Sequence, residues 1–282
     1  MMQQHLAAIA LLQVLLSACS SVPNAADTIA PNANLHVQGI PPIPLSVADD
    51  VAKYSDFRGH GFVAWHPTRR EMLVAHRGPG ANTVQLYRVV APMAAPEPLT
   101  DSAELVYRAE CEPVDGRYIV LARSMGGDEA DQLYRLDLPA KQTTLLTDPH
   151  ERHALQGWLK RSGQMLVIST PLDRTAQGGS RDAISQTLQL IDPLQQSAPR
   201  LLKVLPGGGW HNVRISTDEQ RVALTRRLSA NESQVWMLEL ANGRFTQLLP
   251  AEGRSDTAAW TAGEFTRDGA GLFMISDQGR EF

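Results

Sequence analysis

Few side chains in this sequence stand where they could do chemistry. Gly126-Gly127-Asp128-Glu129 places two adjacent carboxylates in a turn. Such groups bond the turn's own backbone, pair with a nearby arginine such as Arg123 or Arg135, or face a ligand. His150 and His153 form His-x-x-His beside Asp148 and Glu151, but a metal site needs ligands converging at defined geometry, and no metal is expected here. Gly207-Gly-Gly209 has the composition of a phosphate cradle. No helical pattern follows it to supply a dipole, so it reads as a connection. A nucleophilic serine on a strand-to-helix turn requires Gly-x-Ser-x-Gly. That pattern is absent, and Gly178-Gly-Ser180 runs on into Arg-Asp. No catalytic residue and no cofactor is assigned.

The two cysteines, Cys19 and Cys111, cannot form a disulfide framework or a multi-cysteine zinc site. Cys111 adjoins an apolar strand pattern and is expected as a small buried core residue. Nothing near it would lower its pKa as a catalytic thiol requires. Cys19 stands elsewhere. Leu6–Leu16 is apolar except for Gln13, and Leu16-Ser17-Ala18-Cys19 follows. At eleven residues the run is too short to span a bilayer and has the form of a secretory signal. Its end resembles the lipobox of bacterial lipoproteins, which implies diacylation of Cys19 and cleavage just before it. Acyl chains hold a protein to a membrane surface at roughly 0.8 kcal/mol per buried CH₂. Ser20 follows the cysteine, and the resemblance then implies the outer membrane; a secreted or periplasmic product is the alternative. One departure is that no Lys or Arg precedes Lys53. Residues 19–46, rich in Ala, Asn, Pro and Ser, read as a flexible tether.

The elements that must position these groups repeat along the chain. Trp65-HPTRREMLVAH, Cys111-EPVDGRYIVLA, Trp158-LKRSGQMLVIS, Ile215-STDEQRVALTR and Phe265-TRDGAGLFMIS align at spacings of 46, 47, 57 and 50 residues. Each starts apolar, crosses a polar turn and enters an apolar run. Gln85-Leu-Tyr-Arg-Val, Gln132-Leu-Tyr-Arg-Leu, Thr187-Leu-Gln-Leu-Ile and Gln234-Val-Trp-Met-Leu follow, alternating as half-buried strands do. Asp115-Gly116, Ser162-Gly163, Asn242-Gly243 and Asp268-Gly269 are turn dipeptides. Short segments near Leu99, Leu145, Leu201 and Leu248 close the units. Four short strands in each repeat of about 40–50 residues predict an all-β chain, a β-propeller of four-stranded WD40-like blades. A β-sandwich with coincidental spacing is the alternative. About four and a half blades are expected, in a partial propeller over 47–282 behind a signal peptide at 1–18. A ring left open exposes strand edges. A compact five-bladed domain closed by a strand over Val47–Phe57 is the other possibility considered.

The net charge of −4 on 282 residues argues against an electrostatically driven nucleic-acid binder. Gly126-Gly-Asp-Glu129 leading into Gln132-Leu-Tyr-Arg-Leu-Asp-Leu, Leu145-Leu-Thr-Asp148, Gly207-Gly-Gly-Trp210, Ser229-Ala-Asn-Glu-Ser233 and Ser276-Asp-Gln-Gly-Arg-Glu-Phe282 carry a further likeness. Their order resembles the N-terminal propeller of the prolyl oligopeptidase (S9) family of serine peptidases, especially bacterial dipeptidyl- and acylaminoacyl-peptidase-like members. TolB-like periplasmic propellers share the Asp-Gly turns. The peptidase resemblance implies a non-catalytic cap that gates peptide access to a hydrolase domain, with Asp128 and Glu129 binding the amino terminus of a peptide substrate. Ala130 departs from the family's usual Asn. The alternative function is a stand-alone periplasmic propeller lipoprotein holding a protein partner on one face. A separately encoded hydrolase chain completing the enzyme is a third.

Overall fold

The computed structural model describes residues 27–79, 81–173, 184–195, 197–251, 253 and 257–279. Cys19 and the signal segment lie outside them, as do residues 174–183 of the polar turn in the third repeat. The chain divides into two compact units, Met1–Arg58 and Gly59–Phe282.

The described part of the first unit contains one helix, α1 (Leu45–Ser55), entered from Pro44 at φ −60°. The strand considered over Val47–Phe57 is therefore corrected. Val47, Val51 and Tyr54 recur at the spacing of one helical face, and Lys53 pairs with Asp50 one turn away at 2.8 Å. None of the helix residues is buried. No helix among the described residues is long and apolar enough to cross a membrane.

The second unit is built from antiparallel meanders. Blade 1 holds β1 (His60–Trp65), β2 (Met72–His76), β3 (Gln85–Val89) and β4 (Glu97–Pro98). Blade 2 holds β5 (Arg108–Cys111), β6 (Tyr118–Arg123), β7 (Gln132–Asp137) and β8 (Gln142–Leu145). Blade 3 comprises β9 (Glu151–Leu159), β10 (Gln164–Pro171), β11 (Ser185–Ile191) and β12 (Arg200–Pro206). Blade 4 comprises β13 (Trp210–Ile215), β14 (Arg221–Arg227), β15 (Ser233–Glu239) and β16 (Phe245–Leu249). Beyond them β17 (Trp260–Phe265) and β18 (Leu272–Ser276) pair as a hairpin.

The second strands of blades 2, 3 and 4 carry apolar residues at successive central positions because they face a neighbour on both sides. In β6, Ile119 and Leu121 enter a core shared with Leu73 and Leu86 of blade 1. The alternating Tyr118 and Val120 enter another with Trp158, Met165 and Val167 of blade 3. The same alternation continues in β10, whose Leu166 and Ile168 meet Val222 and Leu224 of β14. Ala223, between those two, turns to Ala262 of β17. Met165, Leu166, Val222 and Leu224 have no exposed surface; burying one such leucine or methionine contributes about 1.5–3 kcal/mol.

Polar contacts fix the blades in register. Trp158 Nε1 donates to Glu110 Oε2 at 2.8 Å, and Arg135 Nη1 to the Pro193 carbonyl at 2.6 Å, joining blades 2 and 3. The backbone amides of Lys160 and Arg161 donate to the Glu219 carboxylate, joining blades 3 and 4. The recurring Gln of the third strands is structural. The Gln132 side chain accepts from Thr147 Oγ1 and donates to the Glu151 carbonyl, clamping the passage to the next blade. Gln85 acts likewise with Thr100 and the carbonyls of Ser102 and Glu104. In blades 3 and 4 the role falls to Gln186 and Ser233, one residue before the aligned Thr187 and Gln234.

The first turn of each blade is capped locally. His66 Nδ1 accepts from the amides of Thr68 and Arg69. Gly116, at φ +66°, sits against that imidazole so tightly that a Cβ would lie 2.2 Å from His66 Nε2. In blade 2 the cap is Glu112, whose carboxylate accepts from the amides of Val114, Asp115 and Arg117 at 3.0, 3.1 and 3.4 Å. Burial opposes its charge, yet these donors hold its pKa below the ordinary glutamate value. Cys111 is a buried free thiol in the core between blades 1 and 2, and burial pushes its pKa up to about 11.

Candidate functional site

Position along the first strand decides which side chains reach open space. The ends of β5 and β9 carry Cys111 and Trp158 into the cores, while their beginnings carry Arg108 and Arg152 out to solvent. Together with Glu129, Asp131, Trp210 and His211 these arginines line a cavity of about 540 Å³ bounded by blades 2, 3 and 4. A smaller cavity of about 220 Å³ lies against Asp128, Glu129, Arg152 and Thr170. A third, of about 300 Å³, shares Arg108, Asp131 and His153 with the first and reaches Phe62 of blade 1.

Asp128 and Glu129, adjacent in sequence, have different tasks. Asp128 Oδ1 accepts from the amides of Met125 and Ala130, at 3.3 and 2.9 Å, and so closes its own turn. Glu129 stands at φ +57°, is exposed, and borders both the 540 and the 220 Å³ cavities. The pairing with Arg123 or Arg135 considered from sequence is not what the structure contains. Arg123 stacks 4.3 Å above the Tyr134 ring, and Arg135 is bound to Asp137 and to Pro193.

Asp131 was not legible as a site residue. Its carboxyl is half-buried, and its Oδ2 lies 4.0 Å from Arg108 Nη1. Burial raises its pKa, against the fields of both Arg108 and Arg152. The Asp131 carbonyl accepts the His153 amide at 2.9 Å, so the same residue locks the start of β9. Arg152 forms no ion pair with any described residue. The sequence signal for these groups was faint because the repeats align only from Cys111 and Trp158 onward, downstream of the arginines.

His153, the buried half of His-x-x-His, has both ring nitrogens occupied. Nε2 faces the Asp148 carbonyl at 2.9 Å, and a carbonyl only accepts, so Nε2 carries the proton. Nδ1 then accepts from Ser169 Oγ at 2.7 Å, and Ser169 accepts from Gln189 Nε2. Burial lowers the His153 pKa, favouring this neutral form. Among the described residues no three His, Cys, Asp or Glu side chains gather as a metal site. Gly207–Gly209 is a connection between β12 and β13, where Gly207 at φ +70° lies against the Arg226 guanidinium.

No protein-family model matches this sequence, and no curated protein matches it. Solved structures do. A prolyl endopeptidase, from a study of inter-domain dynamics in catalysis and specificity, superposes at a TM-score of 0.62 with 12% identity, over 78% of this chain and 33% of its own. A puromycin hydrolase gives 0.54 at 17% identity, over 80% of this chain and 37% of its own. An oligogalacturonate lyase in complex with manganese gives 0.56 at 10% identity, over 78% and 61%. The fold is a β-propeller. This chain thus spans about a third of the length of the prolyl endopeptidase and of the puromycin hydrolase, and in both the matched region is a propeller domain.

Proposed function

We propose that the chain is the propeller cap of a prolyl-oligopeptidase-like serine peptidase, gating peptide access to a hydrolase domain and inactive by itself. The observation that carries this reading is the match to two hydrolases over most of this chain and only about a third of theirs. The cavity supports it, because the first strands of three blades bring Arg108, Arg152, Trp210 and His211 to one opening of peptide size. Glu129 is the carboxylate placed to receive the amino terminus of a substrate there. Asp128 is committed to its turn. The segment Leu16-Ser-Ala-Cys19 supports acylation at Cys19 and an outer-membrane site facing the periplasm.

The test is the native protein. Its intact mass is measured, and envelope fractions are assayed with aminoacyl and dipeptidyl reporters. A product carrying a hydrolase domain, with reporter hydrolysis abolished by a serine-directed inhibitor, is expected. A stable product of this chain's mass alone, with no hydrolysis and one reproducible envelope partner, would overturn the cap reading in favour of a stand-alone binding propeller.

A further inference from the structure

The cavity at the starts of β5, β9 and β13 holds its charges apart. Arg108 and Arg152 come from consecutive blades, so no movement of one strand carries both. Both arginines interact with the same carboxylate, Asp131, whose nearest contact is the 4.0 Å approach to Arg108. Asp131 and Glu129 match the two guanidinium groups in number, but among the described residues only Arg108 has a carboxylate within ion-pair distance, which leaves Arg152 without one. Glu129 borders the same space without an ion pair to either arginine among the described residues. Arg152 is the free member. Its backbone is fixed by antiparallel pairing with Thr170 and by the neighbouring His153–Asp131 hydrogen bond, while its side chain reaches solvent. From this fixed backbone the planar guanidinium is available to bind a carboxylate through two parallel N–H donors.

We propose that Arg152, with Arg108 beside it, receives the free C-terminal carboxylate of a short peptide lying in this cavity. The choice of a peptide rests on the cap reading; the choice of a carboxylate rests on the cavity alone. A ligand with its carboxylate on the arginines and its length within about 540 Å³ is a peptide of a few residues. Long chains, whose carboxyl end lies far from the bound portion, do not satisfy the arginines. The cavity therefore selects by length as well as by charge.

The test uses the full chain and calorimetric titration with trialanine, trialanine amide, alanyl-glutamyl-alanine amide and acetate. Trialanine is expected to bind, and its amide about tenfold more weakly, the loss expected when charge-assisted hydrogen bonds are removed. Arg152→Gln is expected to erase that difference while leaving the melting temperature unchanged, because the side chain is exposed. Equal affinity for acid and amide, or no binding by about 1 mM, overturns the proposal, and neither result depends on a variant that might misfold. If the amidated glutamyl peptide and acetate bind as well as trialanine, the C-terminus is overturned as the source of the carboxylate. The cap reading is judged separately, by the mass and hydrolysis of the native protein.

Discussion

Replacing Glu112 by glutamine tests whether a single buried carboxylate organises the first turn of blade 2. The side chain is 2% exposed. Its Oε1 accepts from Val114 and its Oε2 from Asp115 and Arg117, with Arg117 Nε at 3.5 Å from Oε2 as well. A glutamine keeps one acceptor. Placed to satisfy Val114, it aims its NH₂ group at two backbone donors. Hydrogen bonds to a charged group contribute about 1.5–3 kcal/mol each, and orphaned buried donors carry their own desolvation cost. Since the two bonds lost are the longer ones, Glu112→Gln is expected to cost about 2–3 kcal/mol at pH 7. The cost depends on pH in a defined direction. A carboxyl whose folded pKa is depressed stabilises the fold above its unfolded pKa, about 4.3. That contribution disappears as pH falls through the folded value. Urea unfolding of wild type and variant at a series of pH values should show the gap widest near neutrality and closing below the ordinary glutamate range. A gap that stays constant into acid would refute the assignment of the cost to charge.

Two further outcomes follow from local geometry. Gly116→Ala must place a side chain at φ +66° and within 2.2 Å of the His66 ring, so it should lower stability by about 1–3 kcal/mol; an unchanged thermal midpoint would contradict the close packing of the first two blades. The Cys111 thiol, with a pKa of about 11 and a place in a core, should react with a maleimide at pH 8 far more slowly in the native protein than in urea. Native labelling at the denatured rate would show that the core between blades 1 and 2 opens readily.

Much of the blade architecture could be read from residue order, and the reasons are physical. The second strands, such as Tyr118–Arg123 and Gln164–Pro171, are apolar at successive positions because both of their faces are covered. The third strands alternate, and turn dipeptides such as Asp115-Gly116 separate the runs. The site was less legible. Which face of β5 or β9 borders open space depends on the blade beside it, and alternation alone carries no such information. Arg108 and Arg152 therefore passed as ordinary polar strand residues. Asp128 and Glu129 looked equivalent, yet the hydrogen bonds of Asp128 within its turn leave only Glu129 to the cavity. Helix α1 occupies the stretch considered as a closing strand, because eleven residues offer only about three turns in which a helical period can show.

The division of labour along the first strands bears on how such a scaffold diversifies. Cys111 and Trp158 are held in place by the cores they join, and exchanging them disturbs two blades at once. Arg108 and Arg152, a few residues earlier, belong to none of those cores. Replacing either changes the lining of the cavity and leaves the supporting layers untouched. The chemistry of the opening and the foldability of the blades are thus free to evolve on separate clocks. A peptide-handling hydrolase and a lyase can share these blades while only about one residue in ten coincides with this chain.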